Sequence, residues 1–170
     1  NVAVAARHAL DVHGLQRVAI IDFDVHHGNG TEDIVAGDER ILMVSFFQHP
    51  FYPVGGSIST AGNLLNMPVP AFTKGQTIRD MVNQHWLPRL DAYAPELLLI
   101  SAGFDAHRED DLGQMGLVEE DYAWITSRLK DIAAKHAKGR IVSCLEGGYN
   151  LNALARSVEA HIRVLTETSL

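Results

Sequence analysis

The chain has 170 residues, 46% hydrophobic and 21% charged, an ordinary balance for one globular domain. Its net charge of −7 argues against non-specific binding to nucleic acid or to an anionic membrane, and no apolar run approaches the length of a membrane span. The single cysteine, Cys144, cannot close an internal disulfide and reads as a buried thiol, which suits a reducing compartment.

In chain order, residues 2–13 are rich in alanine and apolar side chains and stop at Gly14, a good helix end. The chain begins with Asn1 rather than a start methionine and enters this helix at once, so it reads as part of something longer. With no signal peptide in view, the expected compartment is the cytoplasm. Residues 17–24 form the first strand, whose apolar run 18–21 fits a strand covered on both faces. A short helix is predicted over 31–36 and closed by Gly37, followed by a second strand over 41–47. The stretch 48–65 carries Pro50, Pro53, Gly55, Gly56 and Gly62 and reads as a long loop, with a short strand at 67–69. Residues 75–93 have helical spacing with a kink expected at Pro88. A buried strand over 97–102 leads into a polar loop over 105–116, and the acids Glu119, Glu120 and Asp121 mark the start of a long helix over 118–137. The last strand, 141–145, runs into Glu146-Gly147-Gly148-Tyr149-Asn150 and a helix over 151–166. Helices and buried strands alternate, which predicts one α/β domain with a mainly parallel sheet.

Three strands end in chemistry. The first runs through Asp22-Phe23-Asp24-Val25-His26-His27-Gly28-Asn29-Gly30-Thr31. Strand alternation predicts that Asp22, Asp24 and His26 share one face and Phe23 and Val25 the other. The other two strands end in Asp105 and in Gly147-Gly148-Tyr149. Ligands of open parallel sheets bind beyond the carboxyl ends of the strands, so the three ends are expected on one rim. Asp24, His26 and Asp105 then supply three ligands with a place left open, the pattern of a catalytic zinc; a closed structural zinc more often uses cysteines. Tyr149, behind two glycines, is placed to aim a hydroxyl at a developing oxyanion.

These residues are similar to those of the histone deacetylase superfamily, which includes zinc-dependent protein deacetylases, acetoin-utilisation-type proteins and acetylpolyamine amidohydrolases. The motifs that carry the resemblance are Asp22 to Thr31, then Ser101-Ala102-Gly103-Phe104-Asp105-Ala106-His107, then Glu146 to Asn150. Asn29 resembles the class II and bacterial branch. The resemblance implies the three-layer arginase/deacetylase α/β fold and one catalytic Zn²⁺ on Asp24, His26 and Asp105. It makes Tyr149 the donor to the acetyl carbonyl, Asp22 the carboxylate behind a catalytic histidine, and Asn29 a contact of that histidine's partner. It implies a structural K⁺ or Na⁺ held by Asp22, the Ser45 hydroxyl and the carbonyls of Asp24, His26 and Phe46. A second cation is implied on main-chain carbonyls near Val35, Asp38 and Ile41. Tyr52, Leu112 and Gly148 fall along the acyl-lysine tunnel, and His27 matches a family position that is not a ligand.

The expected substrate is an acetylated protein lysine or a small N-acetyl amine, hydrolysed by metal-activated water. The family's paired histidines lie upstream of the helix with which this chain opens, so the chain resembles the later half of a deacetylase domain. His8 and His13 are no substitute. The chain alone is therefore expected to be inactive, and its incomplete sheet to invite self-association. Two rivals are an arginase-type ureohydrolase with two manganese ions and a non-catalytic homologue that binds metal or acetylated ligands. The first needs an aspartate two residues after the histidine, where this chain has Gly28.

Overall fold

The computed structural model describes residues 1–54 and 58–166; the expected turn residues Gly55 and Gly56 lie outside them. Helix α1 (Val2–Asp11) precedes strand β1 (Val18–Asp22), helix α2 (Asn29–Val35), strand β2 (Ile41–Gln48) and strand β3 (Leu64–Val69). Helix α3 (Gly75–Met81) passes through a π-helical turn (Val82–Trp86) into α4 (Leu87–Tyr93). Strand β4 (Leu97–Ala102), helix α5 (Glu119–His136), strand β5 (Ile141–Leu145) and helix α6 (Leu151–Thr166) complete the described chain.

The five strands are parallel in the order β3-β2-β1-β4-β5. The chain therefore builds outward from β1 to β3, returns to the other side of β1 and builds outward again. The strand order reverses between β1 and β4, and the crevice at such a switch point is where open sheets of this kind take ligands. Alternate side chains of β1 feed two cores. Ala19 and Ile21 join Phe46, Ile78, Trp86 and Tyr122 on one face of the sheet, while Val18 and Ile20 join Val2, Ala6, Leu10 and Val35 on the other. Both faces are thus covered, as the apolar run of β1 predicts, and the layers are helix, sheet, helix. No helix among the described residues is long and apolar enough to cross a membrane.

Several boundaries differ from the sequence reading. The first helix stops at Asp11, and its expected last residue, His13, lies beyond it with its ring 4.9 Å from that of His8. The first strand stops at Asp22 rather than reaching residue 24. The second helix starts at Asn29, not at Thr31. The third strand starts at Leu64, three residues before the expected strand, and its Pro68 is tolerated because β3 is a sheet edge. The kink expected at Pro88 is a wider helical turn just ahead of it, in which the Leu87 N–H donates to the Val82 carbonyl. Proline has no N–H to give the ordinary bond one residue later.

At the opposite edge, β5 is only partly covered, with Val142 48% and Leu145 59% exposed. Beneath it His161 is buried between Thr126 and Ser143. The Thr126 hydroxyl donates to the Tyr122 carbonyl (2.6 Å), so its oxygen accepts from His161 Nδ1–H (2.6 Å), and the Ser143 hydroxyl donates to Nε2 (2.9 Å). That network fixes the neutral ring, and burial lowers the imidazole pKa to about 4. The unfolded chain, with an ordinary histidine near 6.5, holds the extra proton between those two values. Stability from this residue is therefore complete above pH ~6.5 and falls as pH drops toward ~4, by at most about 3 kcal/mol. An NMR titration is expected to show the His161 ring neutral at pH 5.5; an imidazolium there refutes the assignment.

Candidate metal centre

Because β1 ends at Asp22, strand alternation does not place Asp24 and His26. Carboxylates do. Asp22 Oδ1 accepts the Asp24 N–H (3.0 Å), and Asp24 Oδ1 accepts the His26 N–H (2.8 Å). Aspartate is the residue for such turns, since its short side chain reaches the backbone two residues on. Asp22 is buried, while Asp24 and His26 stand half-buried at the rim, held there by these turns and not by a strand pleat. Phe23 and Val25 share the core on the α3–α5 side, as expected.

Asp105 arrives from β4, across the switch point. It is fully buried, and its Oδ1 accepts the Val25 N–H (2.9 Å), which ties the two strand ends together. His26 Nδ1 then lies 2.9 Å from Asp24 Oδ1 and 3.1 Å from Asp105 Oδ2. The three side chains offer donor atoms within 4.8 Å of one another. One ring proton cannot serve both acids, and Asp105 Oδ2 is buried without a hydrogen-bond donor. The nitrogen that faces this oxygen, His26 Nδ1, is shared with Asp24, so a cation at this point would relieve the cost of burying the carboxylate.

The electrostatics agree. Asp105 and then Asp24 hold the His26 imidazolium up to about 10, so positive charge is strongly favoured at this point. Burial pushes the Asp105 carboxyl up, and repulsion from Asp24 adds to it against the hydrogen bonding of His26. Burial also pushes Asp24 up, but hydrogen bonds from His26 and the Gly147 N–H outweigh it and leave Asp24 below the usual range. Two acids and one imidazole around one point are a ligand set for a divalent cation.

Below this cluster, Asp22 pairs in register with Ser45 of β2 and Ser101 of β4. Burial and the neighbouring Asp24 push its carboxyl well above the usual carboxylate range. The Ser45 hydroxyl is buried with no partner. An unpartnered hydroxyl beside a buried carboxylate fits a monovalent cation, and Phe46 follows in the same strand.

The third strand end closes the site. The Gly147 N–H donates to Asp24 Oδ2 (2.9 Å), and Gly148 takes a φ of +142°, which favours glycine. Tyr149 is exposed, and its phenol is pushed up by partial burial and by the charges of Asp105, Asp24 and Asp110. Tyr52 sets its ring edge-on to His26 at 5.9 Å, and Leu112 stands half-exposed on the loop after Asp105. Asn29 is exposed and lines a groove of about 150 Å³ together with His27, Phe51 and Tyr52. His27 stacks against Phe47 and lies 3.3 Å from Glu32, away from the cluster.

Sequence reasoning missed three contributors. Phe51 stacks on His26, with ring centres 5.6 Å apart and an 18° tilt; an aromatic pair between two prolines was the available signal. Glu32 is a buried acid that takes the Ser59 N–H (2.9 Å) and the Asn66 amide (2.6 Å), anchoring the loop after β2. Asp110 accepts the N–H groups of Tyr149 (2.7 Å) and Asn150 (3.0 Å) with one oxygen and that of Leu112 (2.9 Å) with the other. Nothing local in the sequence announces that role.

A family profile described as the histone deacetylase domain matches residues 1–165. The chain belongs to the histone deacetylase family. It is 40% identical to the type-2 histone deacetylase 2 of Dictyostelium discoideum, over 98% of this chain and 11% of that protein. It is 36% identical to a histone deacetylase-like amidohydrolase of Pseudomonas aeruginosa, over 88% of this chain and 41% of that protein. The crystal structure of the HDA15 HD domain superposes with a TM-score of 0.88 at 35% identity, covering 97% of this chain and 48% of that one. The chain thus spans less than half the length of each of these three relatives. The sheet flanked by helices is the arginase/deacetylase fold of this deacetylase family, as the resemblance implied.

Proposed function

We propose that the protein carrying this chain is a zinc-dependent deacetylase that hydrolyses the acetamide of N-acetyl-lysine or of a small N-acetyl amine. The observation that carries the reading is the convergence of Asp24, His26 and Asp105, with one buried carboxylate oxygen left without a donor, at the switch point of a deacetylase-family sheet. Zinc held by Asp24, His26 and Asp105 would supply a Lewis acid for the acetyl carbonyl and would lower the pKa of a water from ~15.7 toward ~7. Tyr149 donates a hydrogen bond from its hydroxyl to the carbonyl oxygen as negative charge builds on it, and keeps its proton. Phe51, Tyr52 and Leu112 face the acyl chain and keep water from its flanks. Ser45 and the nearby carbonyls would hold a K⁺ or Na⁺, and that charge would keep Asp22 ionised in the interior.

Among the described residues no imidazole pair stands beside Asp22. The isolated 170-residue polypeptide therefore lacks a positioned general base, a contribution of about 100- to 10,000-fold, and turns over acetyl-lysine slowly or not at all. A two-manganese ureohydrolase is disfavoured by packing: a side chain at Gly28 would overlap Asp22 Oδ2. Metal analysis and an acetyl-lysine peptide assay test the reading. The full-length protein should carry one zinc per chain and lose roughly 100- to 1000-fold in kcat on Tyr149→Phe with its zinc retained. Two manganese per chain, or full turnover by the Tyr149→Phe protein, sinks it.

A further inference from the structure

The turn between α2 and β2 gathers three main-chain carbonyls, those of Val35, Asp38 and Ile41, around one point. Carbonyl oxygens arranged in this way replace the hydration shell of a monovalent cation, and the family resemblance implies a second such ion here. The point is taken by a side chain. Asn63, the residue before β3 and nearly buried, sets its Nδ2 2.8 Å from the Val35 oxygen, 3.2 Å from that of Asp38 and 2.9 Å from that of Ile41. Its Oδ1 accepts the Gly37 N–H (2.9 Å).

This placement leaves no freedom in the amide. Its two N–H groups face three acceptors and its oxygen faces a donor. Turning the group over would set Oδ1 against three carbonyls and Nδ2 against an N–H. The main chain of Asn63 is pinned as well, since its carbonyl accepts the Met43 N–H (3.0 Å). A cation in contact with all three carbonyls would have to sit on Nδ2. The buried Ser45 hydroxyl beside Asp22 is the opposite case, an acceptor for which the chain supplies no donor.

We propose that Asn63 stands in for the second structural cation: its amide neutralises the carbonyl cradle of the α2–β2 turn, and the chain takes a monovalent cation near Ser45 but none here. The family reading enters only through the expectation of an ion at this turn, and zinc content reports on that reading separately. The partial positive charge of an amide suffices because the cradle contains dipoles and no formal charge. The substitution also locks the start of β3 to the end of α2 irrespective of the salt present.

Rubidium is the probe. Crystals of the full-length protein grown in rubidium chloride should show no anomalous peak between the carbonyls of residues 35, 38 and 41. The Asn63→Ala protein should show one, because the carboxamide is gone and the oxygens remain. The thermal midpoint of Asn63→Ala should also rise in potassium chloride, relative to choline chloride of equal strength, by more than that of the unaltered protein. Rubidium on the three carbonyls of the unaltered protein, with Asn63 swung aside, overturns the proposal. So does a cradle that stays without rubidium in Asn63→Ala. If that variant does not fold, Asn63→Ser serves in its place, and the map of the unaltered protein is decisive by itself.

Discussion

If the protein holds zinc as proposed, Gly147→Ala is expected to abolish that binding while leaving the fold in place. A methyl group at residue 147 would overlap Asp105 Oδ2 and come within 2.7 Å of Asp24 Oδ2. The backbone there cannot retreat. The Gly147 N–H is bound to Asp24, and the Gly147 carbonyl accepts the Phe104 N–H at 2.8 Å, so the residue is held on both sides. The two carboxylates must then swing off the point that His26 Nδ1 also faces. Loss of an outer partner of a metal ligand costs about 10- to 100-fold in affinity; displacing two ligands together should exceed the upper figure. Metal content after dialysis and a competitive zinc titration measure it, with far-UV circular dichroism as the check on folding. Gly30→Ala is the control, because a methyl there meets nothing within 4 Å and falls in a helix. Normal zinc binding by Gly147→Ala means that the metal lies elsewhere.

The sheet was legible because its inner strands are continuous apolar runs, which only a doubly covered strand can carry. Where burial is partial, the pattern fades. β3 leaves no strand pattern at Leu64 to Asn66 because it is an edge strand of half-covered residues preceded by Gly62 and Asn63, whose turn chemistry speaks for a loop. The π-helical turn leaves only a faint trace in the sequence: it stretches the interval of the buried face to a steady four residues, Ile78, Val82, Trp86 and Leu90, which differs little from ordinary helical spacing. Asp24 and His26 stand out in the sequence by an interval that the pleat of a strand does not produce here. Their interval of two residues serves a carboxylate reaching the second N–H onward as well as it serves a pleated strand, and periodicity cannot tell these apart. Residues that act by reaching across the sheet leave no periodic trace at all. Asn63 is the clearest instance: its position in sequence offers a turn residue, and only the fold shows three carbonyls from the preceding crossover converging on its amide.

Asp110 belongs to the same class, and on the proposed function altering it should slow turnover while zinc binding is kept. One of its oxygens accepts two consecutive N–H groups, those of Tyr149 and Asn150, and the other accepts that of Leu112. The carboxylate thus fixes the loop that carries the phenol and the loop that lines the approach to it. Charge-assisted bonds of this type are about twice as strong as neutral ones. In Asp110→Asn one acceptor becomes a donor, so at least one of the three N–H groups loses its partner and the Tyr149 loop gains freedom. A displacement near 1 Å of a group that acts only in the transition state costs on the order of 100-fold. We therefore expect kcat to fall by roughly 10- to 100-fold with little change in KM and with one zinc still bound. In the Tyr149→Phe background the same substitution should cost almost nothing further, because the hydroxyl it positions is already gone. Losses that multiply in the double variant, or zinc that leaves with Asp110, would show that this carboxylate supports the site by some route other than the tyrosine.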